Sequence, residues 1–130
     1  TPGDYEKYAL PYTREVVDSV RRNSVPVIHY ANDCSTLLPA IRTLPVDVIA
    51  VDWRIPLDEA SRRLGGAYAV QGNLDPVALL SGKTALRGAA ADVARSVSME
   101  RHIFNLGHGI TPETPPTANP APIRLFCFNS

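Results

Sequence analysis

The chain has 130 residues, which allows one domain of ordinary size and excludes two full ones. Hydrophobic residues make up 45% of the sequence and charged residues 20%, a balance that argues against wholesale disorder. Thirteen basic residues balance thirteen acidic ones, so the chain lacks the basic excess typical of proteins that bind nucleic acid or membrane surfaces.

A helical pattern comes first. Asp4 can cap a helix that runs toward Leu10, and Pro11 interrupts it and opens a second helix that reaches about Arg22. The apolar positions keep a three-and-four spacing and predict one apolar face, made of Tyr5, Tyr8, Ala9, Tyr12, Val16 and Val20.

Strands and helices then alternate. Four short runs predict strands, at residues 25–30, 46–51, 67–71 and 102–106. The patterns between them predict helices with apolar inner faces, made of Leu37, Leu38 and Ile41, then Leu57, Ala60 and Leu64, then Leu86, Ala89, Ala90, Val93 and Val97. Gly65 and Gly66 end the second of these helices, and Asp75-Pro76 begins a further short one.

This rhythm predicts an α/β fold with a parallel sheet and right-handed crossovers. The second strand is apolar along its whole length, as expected for a parallel sheet that is covered on both faces. Two architectures fit, a small open doubly wound sheet and half of a (β/α)8 barrel. The rhythm alone does not choose between them.

In either architecture, ligands gather at the carboxyl ends of the strands. The informative residues at these ends are His29 and Tyr30, Asp52, Trp53 and Arg54, Gln71, Asn73 and Asp75, and finally Asn105 and His108. Among them, His108 lies between Gly107 and Gly109, two residues that permit a tight or positive-φ backbone. An imidazole there could donate a hydrogen bond, move a proton or pair with a carboxylate, although a loop histidine in a turn is the alternative.

The carboxylates and the tryptophan have simpler interpretations. Asp75 is explained as the cap of the helix that begins at Pro76, whereas acid–base work by Asp52 stays open. Trp53 is interpreted as a packing residue rather than a stacking platform.

The remaining histidines and cysteines give no metal site. His29 could face the pocket or be a hydrogen-bonded core histidine, and His102, which opens a strand, is interpreted as structural. Cys34 near His29 supplies two ligands at most, fewer than the three that zinc needs. With Cys127 as the only other cysteine, no disulfide framework is expected.

Four segments at these strand ends resemble, in order and spacing, the C-terminal half of uroporphyrinogen decarboxylase in its bacterial form. They are YALPY at 8–12, VDWRIPL at 51–57, QGNLDP at 71–76 and FNLGHGI at 104–110. The resemblance implies the barrel rather than the open sheet. It assigns the four strands as the fifth to eighth of a (β/α)8 TIM barrel and makes residues 1–116 the C-terminal half of that barrel.

The resemblance also implies an activity. Members of the family remove CO2 from the four acetate side chains of uroporphyrinogen III, giving coproporphyrinogen III in heme biosynthesis, as cytoplasmic homodimers without metal or organic cofactor. Of the family's substrate-binding residues, only His108 carries over, and its implied role is to bind or place a substrate carboxylate. The family's main catalytic residues precede the segment that begins at Thr1, so the catalytic residues stay unassigned and neither Asp52 nor Tyr30 receives their roles.

Both ends of the chain suggest an excerpt. The sequence begins at Thr1 inside a helical pattern, and four of its 12 prolines, at positions 115, 116, 120 and 122, fall close to its end. Residues 117–130 look unlike the family, which continues into a closing helix, and we expect them to be irregular. A half-barrel with one substrate contact cannot assemble the site, so we expect the 130 residues alone to be inactive. The balanced charge and the lack of a long apolar run predict no nucleic-acid or membrane partner.

Two alternatives remain open. One is a non-catalytic half-barrel that serves as a binding or assembly module. The other is a zinc- or corrinoid-dependent methyltransferase of the same superfamily, in which a zinc-binding His-x-Cys would stand where this chain has His29-Tyr30-Ala31. The alanine at the thiol position weighs against that alternative.

Overall fold

Apolar β-branched segments that alternate with helices build one four-stranded sheet in the computed structural model, which describes residues 1–21 and 24–115. The helices and strands in chain order are α1 Pro2–Tyr8, α2 Leu10–Val20, β1 Ile28–Tyr30, α3 Leu38–Ile41, β2 Val48–Ala50, α4 Leu57–Arg63, β3 Ala69–Leu74, α5 Lys83–Ser96 and β4 His102–Leu106. Short 3₁₀-helices cover Pro76–Leu80 and Met99–Arg101. The predicted tail at 117–130, with Cys127, lies outside the described residues.

The sheet is parallel throughout, with the strands side by side in chain order. One row across it joins Tyr30, Ala50, Gln71 and Ile103. This arrangement confirms the predicted α/β fold with parallel strands and helical crossovers. The first two strands are shorter than predicted: β1 comprises residues 28–30 and β2 residues 48–50.

The cap of α1 is Thr1 rather than the predicted Asp4. The Thr1 hydroxyl accepts from the backbone N–H of Asp4 (3.2 Å), and the Asp4 side chain binds back to the backbone of Thr1. This reciprocal pair is a capping box, in which Asp4 is the third helical residue and supports the cap rather than providing it.

Much of the apolar face predicted for the first two helices is exposed. Tyr8, Tyr12, Val16 and Val20 are 50–65% exposed, and Val17 is the buried residue of α2. Spacing identifies an apolar stripe on a helix, but it does not say which side of the helix meets the sheet.

The core lies between one face of the sheet and α3 and α4. Its largest fully buried side chains include Leu38, Ile41, Ile49, Leu57 and Val70. Burial of each of these side chains stabilises the fold by about 1.5–3 kcal/mol. The packed layer holds the strands, and with them the strand ends, in place. A second cluster joins the end of β3 to α5 and the 3₁₀-helix before it, through Leu74, Leu79, Leu86 and Ala90.

The helix predictions for this part of the chain are confirmed. Leu57, Ala60 and Leu64 are buried, and Gly65 and Gly66 end α4 with φ of +73° and +64°. In α5, Leu86 and Ala90 are buried. No helix in the described ranges is long and apolar enough to cross a bilayer.

Candidate functional site

The carboxyl ends of the strands open onto one cavity of about 420 Å³. Its polar lining comes from Tyr30 on β1, Gln71 on β3, Asn105 on β4 and His108 in the loop after β4, and β2 contributes Ala50 and the adjoining Val51. The sequence analysis expected these strand ends to share a rim. The structure brings together four of its candidate residues there, and His108 is one of them.

The His108 imidazole stands at this rim between two aromatic rings. Its centroid is 6.5 Å from that of Tyr30, with an interplanar angle of 67°, and 6.0 Å from that of Trp53, with an angle of 85°. Both are edge-on arrangements that aromatic pairs favour. Its Nδ1 lies 3.4 Å from the carbonyl oxygen of Gly109, and the side chain is exposed.

Close backbone contact explains one of the two glycines beside His108. A Cβ on Gly107 would lie 2.5 Å from the backbone nitrogen of Trp53 and 3.0 Å from the carbonyl carbon of Asp52. A Cβ on Gly109 would meet nothing within 4 Å. Neither of these two glycines has a positive φ. The loop therefore needs a glycine at position 107 because its backbone packs against that of Asp52 and Trp53, and not because the backbone is left-handed.

Hydrogen bonds tie Gly107 to two strands. Its N–H donates to the carbonyl of Leu74 (2.7 Å), and its carbonyl accepts from the Tyr30 hydroxyl (3.2 Å). Burial, reinforced by the negative charge of Asp52, raises the pKa of Tyr30, which keeps its hydroxyl protonated and able to donate.

Asp52 is fully buried, and its oxygens are already engaged. One oxygen accepts from the backbone N–H of Arg54 (2.8 Å). The other accepts from the backbone N–H of Asp33 and lies 3.4 Å from the Arg54 guanidinium. The acid–base role that the sequence left open is therefore not supported, because this carboxylate anchors loops and does not face the cavity.

The other polar strand-end residues also hold the scaffold. The side chain of Asp75 accepts from the N–H of Val77 (2.9 Å), which confirms its predicted capping role. Asn73 is buried, and its amide donates to the carbonyls of Asp52 (3.2 Å) and Ile55 (2.6 Å). The sequence placed Asn73 among the candidate residues, and the structure places it beneath the rim.

Trp53 is half-buried, and the Arg54 guanidinium carbon lies 4.1 Å from its ring centroid. The sequence predicted a packing role for Trp53. The structure adds two specific neighbours, a stacked cation and the imidazole of His108. Sequence reasoning missed this arrangement because spacing carries no information about side-chain stacking.

The two other histidines lie away from the cavity. His102 Nε2 is 2.7 Å from the carbonyl oxygen of Gly72, so the structural interpretation is confirmed. His29 alternates with Tyr30 along β1 and therefore points to the opposite face of the sheet, which makes the pocket-facing alternative wrong. Its Nε2 is buried without a hydrogen-bond partner, and burial lowers the pKa of His29 below its ordinary value.

Cys34 is fully buried in the apolar core, and burial raises the pKa of its thiol. Over residues 1–21 and 24–115, no group of three or more His, Cys, Asp or Glu side chains is arranged to hold a metal ion. What the arrangement offers instead is an imidazole, a phenol and two amides around one cavity, which suits it to binding a polar or anionic group.

Comparison with known proteins agrees with the resemblance seen in the sequence. The family model described as uroporphyrinogen decarboxylase (URO-D) matches residues 1–122. Uroporphyrinogen decarboxylases of Carboxydothermus hydrogenoformans and Streptomyces coelicolor are 45% and 43% identical over 116 and 119 residues, which is 88% and 91% of this chain. That of Rhodococcus opacus is 42% identical, and the match covers 94% of this chain.

The same matches cover 33%, 34% and 36% of these relatives, so the chain spans about a third of their length. The family model thus matches well over half of the chain, and several relatives are more than 40% identical to it. The chain belongs to the uroporphyrinogen decarboxylase family.

Proposed function

We propose that this chain forms part of the active site of a uroporphyrinogen decarboxylase and that His108 binds a carboxylate of the substrate. The reaction removes CO2 from the four acetate side chains of uroporphyrinogen III and yields coproporphyrinogen III. The observation that carries the proposal is the position of His108, at the rim of a cavity onto which the carboxyl ends of parallel strands open.

The chemistry requires that many negative charges be bound and that one pyrrole be protonated. Loss of CO2 from a pyrrole acetate leaves a carbanion unless the ring first accepts a proton and becomes an electron sink. An imidazole can donate to a carboxylate, and the amides of Gln71 and Asn105 are further donors around the same cavity. The Tyr30 hydroxyl already donates to the carbonyl of Gly107. The imidazole and the two amides serve to bind and orient side chains of the substrate, while the proton donor belongs to the part of the enzyme that this chain does not span.

We also propose that the four strands are the fifth to eighth of a (β/α)8 barrel. The family match extends to residue 122, beyond the boundary expected at 116, so we place the family segment at 1–122 and a distinct tail at 123–130. The order of the motifs along the family's sequence supports this placement. The family resemblance likewise supports a cytoplasmic homodimer in heme biosynthesis that needs neither metal nor organic cofactor.

A chimera tests the proposed function. Residues 1–116 replace the corresponding third of the Carboxydothermus hydrogenoformans enzyme, and the purified protein is incubated anaerobically with uroporphyrinogen III and EDTA. The products are oxidised to porphyrins and separated by their number of carboxylates. We expect coproporphyrin to form, and we expect His108→Gln to lower kcat/KM by roughly tenfold to a hundredfold, the value of one hydrogen bond to a charged group.

The control is Arg95→Gln. Arg95 lies on α5 with its side chain 72% exposed, and its ion pair with Asp92 is open to solvent, so turnover should not change. A chimera that shows the circular dichroism of the parent enzyme but does not decarboxylate the substrate would refute the activity and favour a non-catalytic half-barrel. Full activity in the His108→Gln chimera would refute the proposed role of His108 but not the proposed activity.

A further inference from the structure

Trp53 lies between a cation and the imidazole of His108. The Arg54 guanidinium carbon is 4.1 Å from the centroid of the indole, within the range of a cation–π contact. The His108 ring is 6.0 Å away and almost perpendicular, at 85°. The indole therefore connects an arginine that does not line the cavity to a histidine that does.

The arginine in this stack is itself held in place. Its guanidinium lies 3.4 Å from the carboxylate of Asp52 and donates to the side-chain oxygen of Asn32 (3.3 Å). Asp52 has no exposed surface, and backbone N–H groups from two loops fix both of its oxygens. The stack thus extends from a rigid, buried charge toward an exposed side chain.

The backbone beneath His108 contacts the same segment. Gly107 approaches the peptide between Asp52 and Trp53 so closely that a Cβ would lie 2.5 Å from the Trp53 nitrogen. The loop after β2 and the loop after β4 are consequently in contact through both main chain and side chains. A displacement of Trp53 would reach the imidazole directly.

We propose that Trp53 is a positioning residue for His108, held by Arg54 and through it by Asp52. An exposed imidazole in a glycine-flanked loop has rotamer freedom that it loses when it binds a carboxylate. Confinement by the indole removes that freedom in advance, so binding costs less. This inference rests on the proposed function, because the orientation of His108 affects turnover only if the imidazole contacts the substrate.

A double-mutant cycle in the chimera tests the inference. Because the contact with the carboxylate exists before and during the reaction, Trp53→Leu should raise KM about two- to tenfold, the value of one aromatic pair, and leave kcat nearly unchanged. Trp53→Phe keeps a ring and should restore most of the loss. In the His108→Gln background, Trp53→Leu should change KM less than about twofold, because its partner is already gone.

A second measurement uses the 130-residue chain and does not depend on turnover. The ring protons of His108 are followed by NMR in protein labelled at histidine, with His29 and His102 as internal references. Trp53→Leu removes the ring current of the indole and should move the His108 signals while the reference signals stay in place. Arg54→Leu should broaden or move them in the same direction, and Arg54→Lys should do so less.

Each outcome bears on one claim. An equal loss from Trp53→Leu with and without His108 would overturn the positioning role, and so would His108 signals that do not respond to the loss of the indole. If the chimera folds without turnover, the proposed function fails, and the NMR comparison alone decides whether Trp53 orients His108.

Discussion

Gly107→Ala should destabilise the fold, because the residue beside His108 has no room for a side chain. The added Cβ would lie 2.5 Å from the backbone nitrogen of Trp53 and 3.0 Å from the carbonyl carbon of Asp52. Both are main-chain atoms, so no flexible side chain can move aside. The loop after β4 would have to shift away from the loop after β2, and the hydrogen bond from Gly107 to the carbonyl of Leu74 (2.7 Å) would lengthen.

We expect the free energy of unfolding to fall by about 1–3 kcal/mol, the usual cost of one extra methyl group in a packed site. For a chain of this length, that corresponds to a Tm lower by roughly 4–12 °C. Thermal and urea unfolding followed by circular dichroism measure the change. In the chimera, the same substitution should also reduce turnover, since it displaces the segment that carries His108.

Gly109→Ala is the matched control, because it adds the same methyl group on the other side of His108 where nothing lies within 4 Å. Its effect on the free energy of unfolding should stay within about 0.5 kcal/mol. The steric argument fails if both substitutions cost the same or if Gly107→Ala leaves the Tm unchanged.

Three further predictions concern buried groups. Asn73→Ala removes the donor to the carbonyls of Asp52 and Ile55 and should cost about 1–3 kcal/mol in urea unfolding; a loss below about 0.5 kcal/mol would contradict the burial of that amide. Burial lowers the pKa of His29 in the folded state, so the unfolded chain binds the proton more readily, and stability should fall as the pH drops below about 6.5, the ordinary value for histidine. His29→Gln should reduce this loss between about pH 7.5 and pH 5.5, and an unchanged pH profile would refute the assignment. Cys34, with a buried thiol of raised pKa, should react with iodoacetamide only as fast as the protein unfolds; rapid labelling of its peptide in the native state, detected by mass spectrometry, would show that the core is open.

Much of the fold could be predicted because local patterns and burial coincide in the middle of the chain. The apolar run around β2 predicted a strand covered on both faces, and Val48, Ile49 and Ala50 are all buried. Caps and breakers were equally informative. Asp75 before Pro76 and the pair Gly65 and Gly66 act through their own backbone neighbours, which a sequence displays directly.

Predictions that depend on distant partners were weaker. The apolar stripe of α2 has the predicted spacing, yet Tyr12 and Val16 are exposed, because spacing does not identify the surface that a helix meets. Asp52 and Asn73 looked like candidates for chemistry because they follow strands. Only their hydrogen bonds show that they hold the loops together. The sequence alone does not distinguish a structural carboxylate or amide from a catalytic one.

For the site, the sequence identified His108 but not its surroundings. The flanking glycines drew attention to the imidazole, and the positions of the strand ends predicted the shared cavity. The stack of Arg54, Trp53 and His108 depends on rotamers and on the approach of two loops that are far apart in the chain. No spacing rule could have predicted it.

A crystal structure of the chimera with coproporphyrinogen bound tests the central claim most directly, because it places the product's carboxylates relative to His108. We expect the tetrapyrrole at the carboxyl ends of the four strands, with one carboxylate oxygen about 2.7–3.2 Å from an imidazole nitrogen of His108. A tetrapyrrole bound elsewhere, or bound there with its carboxylates out of reach of that imidazole, would contradict the account.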